Sequence, residues 1–279
     1  MRIDSHQHYW RTNRGDYHWM SPAVQPLCRD FLPPHLVPHL RKHRIDKTVL
    51  VQAAQTLAET DYLLTVAADE PTTAGVVGWL DLDSDHFPEL FARYRRNPKF
   101  IGLRPMLQDL ADDRWILRDR VQAHVALVAE ADFPFEFLTF TRHLPHVRTT
   151  LERHPGLRSA IDHLSKPPIK SGQLQPWKTL MGRIAHEHPT VRCKISGLVT
   201  EADWNKWTVE DLRPCIEYAW TVFGANRVMF GSDWPVCTLA ASYDQVIGAV
   251  EQVLGPNLDT SSSAAFFGGN AAQFYKLPA

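Results

Sequence analysis

The feature that most narrows the fold is an alternation kept up along the whole chain. Short apolar runs occur at 2–8 (RIDSHQH), 47–54 (KTVLVQAA), 73–82 (TAGVVGWLDL) and 100–107 (FIGLRPML). Four more follow at 132–140 (DFPFEFLTF), 158–167 (RSAIDHLSKP), 190–198 (TVRCKISGL) and 227–235 (RVMFGSDWP). Between them the apolar residues recur at helical spacing: Leu117, Val121, Val125 and Val128; Trp177, Leu180, Met181 and Ile184; Leu212, Ile216 and Phe223; Val246, Ile247, Val250 and Leu254. Several of these segments stop near Pro or Gly, as at EHP (187–189) and FGAN (223–226), where helix propagation becomes unfavourable. Strands alternating with helices imply parallel strands joined by crossovers. Eight such units in 279 residues fit a single-domain (β/α)8 barrel, the TIM barrel of the α/β class, whose usual size is about 250 residues. An open doubly wound sheet is the competing topology, but it usually carries a glycine-rich phosphate turn after its first strand, and here that position reads HQHYWRTNRG. The expected domain therefore runs over 1–279. The stretch 9–34 is long for a βα-loop and rich in aromatics and prolines, so it is expected to lie over the barrel mouth as a partial lid.

Charge and cysteine content exclude several function classes. A formal net charge of −1 leaves no electrostatic footprint for nucleic acid or an anionic membrane. No apolar run approaches the roughly 20 residues that span a bilayer. The first residues, MRIDSHQHYW, lack the apolar core of a secretory leader, which makes the cytoplasm the expected compartment. Cys28, Cys193, Cys215 and Cys237 are scattered, with no C-x-x-C pair, so reduced thiols are expected rather than a zinc ribbon or redox pair. Nothing in the sequence points to a particular oligomeric state.

The histidines carry the chemical signal. His6 and His8 are one residue apart in the first run, and on a strand such residues project from the same face. Fourteen histidines make chance pairs expected, and the sequence supplies two controls. His186 and His188 have the same spacing but sit at a helix end, where they diverge. His39 and His43 lie four apart in PHLRKHRIDK, the basic, solvent-facing side of a helix. Only His6 and His8 fall at the C-terminal end of a strand, where active sites of this fold form. His163 ends the sixth run and Asp233 the eighth. Asp233 could serve merely as a turn-capping residue. Strand 8 closes on strand 1, however, so the three histidines and the aspartate would ring one opening.

These residues resemble those of the amidohydrolase superfamily. HQH matches its strand-1 H-x-H, His163 its strand-6 histidine and Asp233 its strand-8 aspartate. The likeness covers the whole chain and is nearest to the sugar-lactone hydrolases of the L-fuconolactonase and L-rhamnonolactonase type. It is carried by DSHQHYW with RGDYHWM, GLRP, IDHLSKP, KISGLVTE, FGSDWPV and FFGGNAAQFY. The resemblance implies a hydrolase that opens the lactone ring of a sugar acid, a small-molecule substrate.

The chain departs from the superfamily pattern in two places. Strand 4 offers Arg104 in place of the metal-bridging lysine of many members, which disfavours a binuclear centre. Strand 5 offers Glu136 in place of a histidine; Phe133, Phe135 and Phe137 alternate outward, which points Glu136 inward. His6, His8, Glu136 and Asp233 make a mixed nitrogen and oxygen set for one divalent ion, zinc by preference. Members of the lactonase subgroup work without a tightly held metal, so the ion need not be essential.

Asp233 is the expected base, with His163, His6 and His8 polarising the carbonyl. Arg104, Lys166, Lys194 and Trp234 are the expected substrate contacts, although an ion pair with Glu136 or another acid is an equal claim on Arg104. Tyr9, Trp10, Tyr17 and Trp19 could add aromatic faces for a sugar ring. Two rivals keep the fold, a pyrone-dicarboxylate lactonase and a zinc-dependent decarboxylase. A third is a sugar-binding protein without catalysis.

Overall fold

The computed structural model describes residues 1–278. Eight parallel strands pair in chain order: β1 Ile3–Gln7, β2 Lys47–Val51, β3 Thr73–Gly78, β4 Phe100–Leu103, β5 Phe135–Phe137, β6 Ser159–Ile161, β7 Arg192–Ile195 and β8 Val228–Phe230. The ring closes where Gln7 bridges Trp234, with His8 N donating to the Trp234 carbonyl at 2.7 Å and Asp233 N to that of His6 at 2.8 Å. Each expected apolar run contains one strand. The crossovers are α1 Pro33–Lys42, α2 Leu57–Asp69, α3 Phe87–Tyr94, α4 Asp119–Glu130, α5 Leu144–Arg153, α6 Trp177–Glu187, α7 Val209–Phe223 and α8 Tyr243–Leu254. Short helices α9 Thr260–Ala264 and α10 Asn270–Tyr275 follow. No helix is long and apolar enough to cross a membrane among the described residues.

Two cores result from the strand pleat. Side chains facing outward pack under the helices in one large cluster, Phe135 and Phe137 among them. Inward-facing Ile3, Val49, Val51, Val77, Ile101, Ala160 and Met229 come from six different strands, so they can meet only inside the barrel. Ala271, Phe274 and Tyr275 of α10 join this inner cluster and stopper the end of the barrel opposite the mouth. The other end is left to polar side chains.

The segment 9–34 is cinched at its base, where Trp10 and Phe31 exchange backbone hydrogen bonds of 2.9 and 3.0 Å. Its aromatics mostly pack on one another: Trp10 meets Trp19 and Phe31, each with ring centres 5.3 Å apart, and Phe31 meets Trp234 at the same separation. A loop this long needs its own small core to be ordered.

Candidate active site

Local backbone irregularities aim the site residues. In β1 the register shifts between Asp4 and Gln7, and this bulge changes the phase of the strand. Ile3 points into the lower barrel, yet His6 and His8, at even positions, also point inward. Gly231 makes room for His6, since a Cβ there would stand 2.7 Å from that of His6. After β6, residues 163–166 are all left-handed, with φ of 53° at His163, 52° at Leu164, 58° at Ser165 and 50° at Lys166. Four consecutive L-residues in that region are disfavoured by about 1–2 kcal/mol each. The turn is held by a 2.8 Å hydrogen bond between the hydroxyls of Thr139 and Ser165 and by the Trp177 indole donating to the Leu164 carbonyl at 2.6 Å. It brings His163 and Lys166 to the mouth. Asp233 is left-handed too, at φ 57°.

These residues converge. Asp233 Oδ1 lies 3.2 Å from His8 Nε2, 3.8 Å from His6 Nε2 and 3.9 Å from His163 Nε2, all four side chains being buried. Gly197, at φ 62°, backs the pair, because a Cβ there would fall 2.5 Å from His163 Nδ1 and 3.0 Å from Asp233 Oδ2. His8 Nδ1 donates to the Val51 carbonyl at 2.7 Å, which leaves Nε2 to share a proton or a cation with Asp233. His163 Nδ1 meets the Ser196 hydroxyl at 2.9 Å. The ring opens into a pocket of about 740 Å³, counting the part open to solvent. Its walls include Trp19, Arg104, Gln108, Asp109 and Lys166.

A family model for amidohydrolases matches residues 3–277. The chain belongs to the amidohydrolase family. It is 40% identical to an L-fucono-1,5-lactonase of Burkholderia ambifaria, over 99% of this chain and 96% of the relative. It is also 40% identical to an L-fucono-1,5-lactonase of Burkholderia multivorans, over 100% and 97%. Among solved structures, an amidohydrolase from Burkholderia multivorans with bound zinc superposes with a TM-score of 0.95 at 38% identity, covering 100% of both chains.

Beneath the histidine ring of this amidohydrolase lies a second polar layer. Lys194 Nζ, fully buried, is 2.7 Å from Glu136 Oε2, 3.1 Å from Asp162 Oδ1 and 3.2 Å from His6 Nδ1. His6, Glu136 and Asp162 form one donor group close enough to hold an ion; His6, His163 and Asp233 form another. The ammonium of Lys194 already sits amid the first. That group is therefore bridged by the chain's own cation, and Glu136 stands with Lys194 and the Tyr275 hydroxyl rather than in Asp233's group.

Arg104 reaches the pocket while Nη1 contacts Asp162 at 3.2 Å and Nη2 donates to the Gln52 carbonyl; its Nε has no protein partner. Asp162 is thus the acid that shares Arg104. Lys166 lines the pocket 3.7 Å from Glu201, whereas Lys194 lies below it. Trp234 is packed against Tyr9 and Phe31, outside the pocket wall. Of the aromatic candidates only Trp19 lines the cavity, its indole fixed to the Ala53 carbonyl at 2.8 Å. The two control pairs stay away from the mouth. His43 Nε2 instead meets Asp244 at 2.6 Å on the outside of the barrel, and His39 is 4.0 Å from the same carboxylate.

Electrostatics divide the charges between the layers. Burial alone would push the Asp233 carboxyl up, but His163, the hydrogen bond from His8 and His6 outweigh it and hold the group ionised, well below the usual carboxylate range. Burial lowers His163 to about 4, and burial with the nearby Lys194 lowers His6 well below its ordinary value. Both rings are neutral at neutral pH. Asp162 is likewise held ionised against its burial by Lys194 and His6, whereas burial and the charge of Asp162 push Glu136 up.

Proposed function

We propose that this chain opens the lactone ring of a sugar acid of the L-fucono-1,5-lactone class by attack of water. The observation that carries the reading is the Asp233 carboxylate, buried and ionised under three imidazoles at the floor of a polar-rimmed pocket. The 40% identity to two L-fucono-1,5-lactonases over nearly the full chain supports the substrate class. A binding protein without catalysis has no use for such a carboxylate, whose retention carries a desolvation penalty.

Asp233 takes a proton from water as the water oxygen adds to the lactone carbonyl carbon. His163, its Nδ1 paired with the Ser196 hydroxyl, turns Nε2 to the pocket, and in the tautomer that carries the proton there it donates to the developing oxyanion. Collapse breaks the ring C–O bond, and Asp233 returns the proton to the leaving alkoxide. The product is a hydroxy acid that ionises and releases one proton to solvent. The guanidinium of Arg104 and the ammonium of Lys166, both in the pocket lining, hold substrate oxygens, and Trp19 covers one face of the ring. The segment 9–34 acts as a partial lid through Trp19, Val24 and Leu27, which line the pocket.

The donor set also fits one divalent cation. His6, His163 and Asp233 offer ligand atoms within 4.8 Å of one another, and the Nε2 of His8 faces Asp233 with its other nitrogen already committed to Val51. These four residues would hold zinc, which when bound supplies Lewis-acid polarisation of a carbonyl. Four free thiols, three of them buried, suit the reducing cytoplasm as the site of action.

The test is proton release with a panel of aldonolactones. Acid formation from L-fucono-1,5-lactone is the expected result. Carbon dioxide evolution from an aromatic acid, or binding without turnover, would replace the reading.

A further inference from the structure

We propose that Val24, Leu27, Val236 and Leu239 form a specificity wall selecting lactones with a methyl, not a hydroxymethyl, group on the ring carbon bearing the leaving oxygen. The inference rests on the lactonase reading above. The four residues come from two short turns, Pro22–Leu27 in the long first loop and Val236–Leu239 directly after Asp233, and the turns pack on each other. All four line the pocket, and no polar side chain from either turn does. Gln25 is exposed, and the Thr238 hydroxyl is spent on the Pro235 carbonyl at 2.6 Å. The polar lining residues Arg104, Gln108, Asp109, Lys166 and Thr200 instead follow β4, β6 and β7. Ala53, Met106 and Leu138 also line the pocket among those polar groups, so what sets the two turns apart is an aliphatic patch beside Asp233 with no polar side chain of its own in the lining.

The reaction fixes which part of the substrate meets that patch. In a 1,5-lactone the leaving oxygen is bonded to C5, and the proton it receives comes from Asp233. The exocyclic carbon on C5 is two bonds from that oxygen, so it must lie close to the carboxylate. Val236 stands three residues beyond Asp233, in a turn locked to it by Cys237 N donating to the Asp233 carbonyl at 2.8 Å. L-fucono-1,5-lactone carries a methyl at this position; L-galactono-1,5-lactone differs only by carrying a hydroxymethyl. A hydroxyl pressed on this wall gives up its water with no acceptor or donor in return. An aliphatic pocket rejects such an added hydroxyl by up to about 100-fold.

The experiment measures kcat/KM by proton release for freshly prepared L-fucono- and L-galactono-1,5-lactone. Wild-type enzyme is expected to prefer the methyl compound by about 10- to 100-fold. Val236→Ser and Leu239→Asn, each verified as folded by thermal melting, are expected to bring the ratio toward one. A wild-type ratio within twofold overturns the wall whatever the variants do, and so does a ratio that neither variant moves. If wild-type enzyme opens neither lactone, the lactonase reading itself falls and the wall falls with it, an outcome distinct from equal turnover of both.

Discussion

Asp233→Asn is the most direct test of the site, because the structure separates the chemical role of this side chain from its structural one. The backbone of Asp233 does the structural work: its N–H donates to the His6 carbonyl at 2.8 Å and its own carbonyl accepts from Cys237 at 2.8 Å. Neither bond changes in the variant. Asparagine tolerates the left-handed conformation at φ 57° as well as aspartate does, and it keeps the side-chain volume. Its amide can still donate toward the Nε2 of His8, now 3.2 Å from Oδ1. What it cannot do is accept a proton from water. Removal of a positioned general base lowers the rate by about 10²- to 10⁴-fold, which corresponds to roughly 3–5 kcal/mol of transition-state stabilisation. The same residue returns the proton to the leaving group, so the upper half of that range is expected. The assay is proton release from L-fucono-1,5-lactone in weak buffer, with thermal melting as the check on folding. A loss of less than 10-fold in a variant that melts within a few degrees of wild type would refute the assignment of Asp233 as base.

Three further perturbations probe the layers around it. Lys194→Met leaves Glu136 without a counter-charge and Asp162 with Arg104 alone, and is expected to cost about 3–5 kcal/mol, seen as a melting temperature lowered by roughly 10 °C. Adding Glu136→Gln should recover part of that loss, and a Lys194→Met enzyme melting like wild type would remove the internal cation from the account. Burial raises Glu59 to about 8 in the folded chain, so between pH 5 and 8 the folded state binds the extra proton and stability falls as pH rises. Denaturation midpoints should show wild type losing about 1 kcal/mol per pH unit relative to Glu59→Gln over that window, and parallel curves would contradict it. Zinc is expected to raise the melting temperature of wild type, by an amount growing with its concentration, and to lose most of that effect in His8→Ala. Equal shifts in the two proteins would place zinc elsewhere.

Why some of this was readable and some was not follows from the residues themselves. The strands were legible because parallel strands buried on both faces leave near-continuous apolar runs. His6, His8, His163 and Asp233 interrupt those runs at their C-terminal ends, so chemistry and position pointed the same way. Asp162 sits beside His163 in the same interruption, and its phase, shared with inward-facing Ala160, was the signal that could have found it. Tyr275 had no such signal. It lies 139 residues from Glu136 and reaches it only because α10 enters the barrel from below. Lys194 and Trp234 are expected among the substrate contacts because they lie near strand ends, yet a side chain's height in the barrel depends on register and bulges that no local pattern encodes. Lys194 ends in the lower layer, and Trp234 faces the loop core.

The two polar layers account for each other. A lone ionised carboxylate such as Asp162 inside a barrel would carry a penalty of several kcal/mol. Lys194 and Arg104 together offset that penalty, and Lys194 in doing so presents an ammonium to the Nδ1 of His6 at 3.2 Å. On the other edge of the ring Arg104 Nη1 approaches Nε2 at 3.4 Å, and that nitrogen faces Asp233 across 3.8 Å. The lower layer therefore brackets the buried His6 ring between two cationic side chains, although none of its members except Arg104 touches the cavity. It follows that Lys194→Arg, which keeps the charge but spreads it over a wider plane, should fold better than Lys194→Met and still lose turnover more than substrate affinity. Charge balance holds the barrel together; the placement of a single ammonium nitrogen orients the ring above it.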